Sequence, residues 1–64
     1  MQNYELVITY IDGAVRQYDY HSLADSLTHA VEIAARDEVQ KIEVWKTDRS
    51  IQFRYVPPPK SRAA

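Results

Sequence analysis

Asp25, Ser26 and His29 place a carboxylate, a hydroxyl and an imidazole within about one and a half turns of a single helical stretch. Those groups are the components of a nucleophilic triad, in which the carboxylate orients the imidazole and its other nitrogen takes the proton of the hydroxyl. The spacing speaks against that chemistry, because three residues on one exposed helix face do not converge into the required chain of hydrogen bonds. The bland reading is a capped, solvated helix surface. His29 with Asp25 and Glu32 resembles a metal half-site, but a closed site needs more ligands, and His21 is too isolated to complete it. No catalytic residue, cofactor or metal ion is therefore expected. A domain this small also leaves little room for a substrate pocket of roughly 300 Å³ beneath one helix, so neither an enzyme nor a small-molecule substrate is expected.

The remaining residues with recognition chemistry are Trp45, Arg54 and Lys41, and the strands that carry them decide which way they point. Tyr4 to Tyr10 alternates in the period of a strand with one buried face. Asp12-Gly13 then marks a turn. A three-residue loop, Ile11-Asp12-Gly13, pairs Tyr10 with Ala14, Leu6 with Tyr18 and Tyr4 with Tyr20. One face then holds the apolar and aromatic residues with Arg16 as its single charge, and the other holds Glu5, Val7, Thr9, Val15, Gln17 and Asp19. The two-residue alternative mixes the faces and is rejected.

The helix is expected over Ser22 to Arg36, with Ser22 as N-cap and Asp25 complementing the first-turn amides. Leu23, Leu27, Ala30, Val31 and Ala34 form its apolar stripe, and Glu32 with Arg36 forms an i, i+4 ion pair. A second hairpin follows, Val39 to Lys46 and Ile51 to Val56, joined by Thr47-Asp48-Arg49-Ser50. A four-residue loop pairs Lys46 with Ile51, Val44 with Phe53 and Ile42 with Tyr55. That parity sends Trp45 to the face away from the helix, beside Lys41, Glu43, Gln52, Arg54 and Val56. There the indole either meets a partner or covers neighbouring aliphatic stems.

Sixty-four residues make one domain, placed at 1–56, and at this length roughly 60% of the unfolded chain's surface is buried. There is no cysteine, so a partner subunit is a plausible source of further burial. Residues 1–56 hold six basic and nine acidic residues, a net charge of −3, which disfavours a groove that neutralises many phosphates. Pro57-Pro58-Pro59 ends the last strand, and residues 57–64 are read as a tail, disordered from Lys60. No secretory pattern opens the chain and no apolar run approaches the ~20 residues of a membrane span, so no membrane is expected and the location is read as cytoplasmic.

The expected fold class is α+β, a ββαββ unit in which one helix packs on one face of a four-stranded sheet. The strand order is 2-1-3-4, with 2-1-4-3 as the alternative. In element order the chain resembles the immunoglobulin-binding domains of streptococcal protein G, which also run ββαββ without cysteine. None of their motifs is matched, so no binding residue carries over. The expected function is a small non-enzymatic interaction or regulatory module, a bacterial or phage accessory protein that binds another protein or itself as a homodimer. Trp45, Arg54, Lys41, Val7 and Val15 are its contact residues. The alternative is nucleic-acid binding by the same aromatic and basic face, assisted by Lys60 and Arg62.

Overall fold

A computed structural model describes residues 3–58. The expected disorder of Lys60 to Ala64, and the roles of Lys60 and Arg62, lie outside the described residues. The elements are β1 (Tyr4–Tyr10), β2 (Val15–Tyr20), α1 (Leu23–Ala34), β3 (Val39–Lys46) and β4 (Ile51–Tyr55). The strands form a single antiparallel sheet in the order β2-β1-β3-β4, the first of the two expected orders. β1 is interior and apolar on both faces through Leu6-Val7-Ile8, as suits a strand flanked on both sides.

The first hairpin has the three-residue loop. The Tyr10 amide donates to the Ala14 carbonyl at 2.8 Å and the Gly13 amide to the Tyr10 carbonyl at 2.9 Å, and Leu6 lies opposite Tyr18. Gly13 has φ +93°, the left-handed conformation that this turn-plus-bulge geometry requires. The Asp12 Oδ1 accepts from the Ala14 amide at 2.9 Å and closes the loop.

The second hairpin corrects the expected pairing. Its loop also has three residues: the Lys46 amide donates to the Ser50 carbonyl at 2.9 Å and the Arg49 amide to the Lys46 carbonyl at 2.9 Å. Arg49 takes the place of Gly13, with φ 74°, and the Asp48 Oδ1 repeats the role of Asp12 by accepting from the Ser50 amide at 3.0 Å. Bonds from the Ser50 hydroxyl and amide hold the Asp48 carboxyl below its ordinary value. A shorter loop leaves one residue too many in β4. A bulge absorbs it: Val44 faces Phe53 and Ile42 faces Tyr55 as expected, but Ile51 lies opposite Trp45 rather than Lys46. Keeping Phe53 and Tyr55 turned inward takes precedence over regular pairing at the loop end, and Ile51 moves to the outer side of the sheet.

The helix is shorter and rolled relative to expectation. The Ser22 Oγ accepts from the Asp25 amide at 3.3 Å, confirming the N-cap, but the helix ends at Ala34. Arg36 therefore lies beyond it, and among the described residues it makes no ion pair with Glu32. The buried helix residues are Ser26, Ala30 and Ile33, flanked by Leu23, Leu27 and Ala34. Val31, expected in the stripe, is 68% exposed, whereas Ile33 is 5% exposed. The difference is a roll of about 50°. On the β2 side the Tyr20 hydroxyl hydrogen-bonds His29 Nδ1, and the Tyr18 ring meets the imidazole edge-on at 4.8 Å. Those contacts tie the His29 side of the helix to β2. Ser26 tolerates full burial because its hydroxyl donates to the Leu23 carbonyl at 2.7 Å.

Two stability predictions follow from this geometry. Ile33→Ala should cost about 2–4 kcal/mol in urea unfolding and Val31→Ala less than about 0.5; the reverse ranking would restore the expected stripe. Arg49→Gly should raise stability by about 0.5–1 kcal/mol, while Gly13→Ala should lower it by about 1 kcal/mol through backbone strain alone, since no atom lies within 4 Å of the added Cβ.

Candidate interaction face

Alternation along each strand builds the outer face in rows. Asp19, Glu5, Trp45 and Ile51 lie side by side from β2 to β4, then Gln17, Val7, Glu43 and Arg54, then Val15, Thr9 and Lys41. The inner rows, Tyr18-Leu6-Val44-Phe53 and Arg16-Ile8-Ile42-Tyr55, face the helix side. Trp45 is absent from the core cluster beneath α1, and its indole lies on the open face.

Glu43 ties this face together. Its Oε1 accepts from the Trp45 indole N–H at 3.4 Å and lies 3.9 Å from the Lys41 Nζ, while its Oε2 lies 3.9 Å from the Arg54 Nε. The glutamate side chain is 14% exposed and that of Arg54 62%. Ion pairs this long and this wet contribute little stability. Their effect is positional: three long side chains share one anchor, which restricts the rotamers they occupy. Val7 stands directly across from Glu43.

An open hollow of about 680 Å³ adjoins the indole at the Asn3–Thr47 end, lined by Val7, Glu5, Asp19, Trp45 and Arg49 among others. Reciprocal bonds between Asn3 and Thr47 extend the β1–β3 ladder there, with the Thr47 amide donating to the Asn3 carbonyl at 3.1 Å and the Asn3 amide to the Thr47 Oγ1 at 2.9 Å. His21 hydrogen-bonds the Asn3 side chain at 2.9 Å.

The structure thus brings Trp45, Lys41, Arg54 and Val7 together. Val15 shares the face but not the cluster, lying two strands across and four residues along from Trp45, about 16 Å away. Four participants escaped the sequence reading. Glu43 was visible as a neighbour but not as the anchor, Glu5 and Asp19 wall the hollow, and Ile51 reaches this face only through the bulge, which no residue pattern announces.

The structure corrects the expectation that Asp25, Ser26 and His29 lie on one exposed, solvated helix face. Ser26 is buried against the sheet, Asp25 is exposed, and His29 bonds Tyr20. Among the described residues no group of three metal-ligating side chains stands close enough to hold an ion. Among the described residues no helix is long and apolar enough to cross a membrane. In comparison with known proteins, no family model matches the chain, and no curated protein or solved structure is significantly similar to it.

Because Trp45 is the sole tryptophan, its fluorescence reports on this face. Glu43→Ala should shift its emission to the red and increase acrylamide quenching, with unfolding free energy changed by no more than about 1 kcal/mol. An unchanged spectrum would show that the carboxylate does not hold the indole.

Proposed function

We propose that this chain is a small non-enzymatic interaction module, a cytoplasmic accessory or regulatory protein of bacterial or phage type that acts by binding another protein through its outer sheet face. The observation that carries the reading is a half-buried indole on the open side of a sheet, hydrogen-bonded to a glutamate that also gathers Lys41 and Arg54. Tryptophan and arginine dominate interface energetics, and side chains already restrained in the free protein lose less entropy on binding. Lys41 and Arg54 lie against Glu43, and Glu5 and Asp19 flank the hollow. Phosphates would meet two cations that share one carboxylate, with two further carboxylates lining the hollow beside the indole, so these neighbours favour a protein partner over nucleic acid.

Intact protein used as bait in extract of its native cell should retain a partner that Trp45→Ala binds at least about 10-fold more weakly, with urea unfolding unchanged. Unfolding of the variant would assign the indole to stability instead. A mobility shift of DNA or RNA at low ionic strength that falls steeply with salt would favour the nucleic-acid alternative.

A further inference from the structure

The sheet has two free edges, and they are not alike. β2 turns Arg16 toward the helix side, opposite Ile8, and an inward-facing charge is a device that blocks strand addition. β4 carries only Phe53 and Tyr55 on that side, both half-buried. The helix packs on β3, β1 and β2, and the Phe53 and Tyr55 rings beside it stay partly exposed at the edge. His29 faces β2, and Val31 lies about 160° around the helix from it. The exposed valine therefore overlooks the β3–β4 side. On the same flank Ala34, Val39, Tyr55 and Pro57 line a hollow of about 800 Å³.

We infer that β4 pairs antiparallel with β4 of a second copy about a two-fold axis, joining the two sheets into one, with each Phe53 facing its mate. This specifies the self-association within the proposed function; it shares Arg54 with the outer face but does not depend on Trp45. Backbone parity permits it. The Thr47 amide bonds back to β1, so alternate residues Ile42, Val44 and Lys46 bond β4, where they engage Tyr55, Phe53 and Ser50. The backbone groups of Arg54 are left pointing to the open edge, and Gln52 is the extra residue of the bulge, with no counterpart on β3.

The side chains select the register. A two-fold pairing that keeps inner residues inward is centred on Gln52, Phe53, Arg54 or Tyr55. Centring on Gln52 sets the inward Phe53 opposite Ile51, which the bulge carries to the outer side. Centring on Arg54 sets two guanidiniums directly opposite, a destabilising arrangement, and centring on Tyr55 brings Pro57 into the ladder opposite Phe53. Centring on Phe53 sets Gln52 opposite Arg54 of the second copy. The chemistry is complementary: the Gln52 Nε2 donates to the Ser50 Oγ at 2.9 Å, leaving its Oε1 to accept, while Glu43 engages only the Nε of Arg54, leaving the terminal guanidinium nitrogens to donate. The contact falls below the roughly 1,200 Å² of a standard interface, so the dimer dissociates on dilution.

Sedimentation of the full chain between about 10 µM and 1 mM should show a mass rising from 7.5 kDa toward twice that value. Arg54→Pro removes an edge donor without touching the β3–β4 ladder and should remain monomeric throughout, whereas Arg54→Ala should weaken association only about 3–10-fold. Gln17→Pro at the β2 edge should still dimerise. Hydrogen exchange of the wild-type Arg54 amide, slower at high concentration, gives a readout that no misfolded variant can confound. A constant 7.5 kDa mass, loss of association in Gln17→Pro but not Arg54→Pro, or its loss on removing residues 59–64 would overturn the inference. Trp45→Ala should leave the mass profile intact, so failure of the outer-face reading and failure of this one remain distinguishable.

Discussion

Four fully buried aliphatic side chains, Leu6, Ile8, Ile42 and Val44, hold the two central strands in one register. Each contributes about 1.5–3 kcal/mol by leaving water, and a one-residue slip of either strand would expose its pair together. Every other placement inherits that constraint. Because side chains alternate, burying Val44 and Ile42 obliges Lys41, Glu43 and Trp45 to point outward, and burying Leu6 and Ile8 obliges Val7 to join them. The candidate interaction face is the geometric complement of the core.

The two hairpins close by the same chemistry at different cost. In each, an aspartate in the second loop position accepts from an amide two residues on, and the next residue is left-handed. Glycine meets that demand at the first turn without strain. Arginine meets it at the second, with a bulge in β4 completing the adjustment. The bulge carries Ile51 beside Trp45 and enlarges the apolar part of the outer face, so a local turn preference reshapes a surface on the neighbouring row.

The helix does not cover the sheet evenly. Its ring contacts and hydrogen bond with Tyr18 and Tyr20 anchor the His29 side to β2, and in this rotation Ile33 is buried and Val31 exposed. One helix about 10 Å across cannot span four strands at ~4.8 Å spacing, and the deficit falls at the two edges, β2 and β4. Thus β2, exposed along most of its length, is guarded by the inward charge of Arg16, while β4 retains an open edge beside half-buried aromatic rings.

The residue pattern alone determined the ββαββ order, the bounds of β1 and β3, the first-hairpin register, the Ser22 cap and the outward direction of Trp45. All of these follow from local periodicity, turn chemistry and the penalty for exposing a whole apolar face. Tertiary structure decided the rest. The roll that exchanges Val31 for Ile33 depends on where His29 finds Tyr18 and Tyr20, residues of another element. The bulge at Ile51 arises because inward burial of Phe53 and Tyr55 outweighs regular pairing beside the loop. The gathering of Lys41, Trp45 and Arg54 on Glu43 needs β3 and β4 side by side. Periodicity within one segment assigns faces, but only the packing of segments against one another sets how far each face turns and which side chains meet upon it.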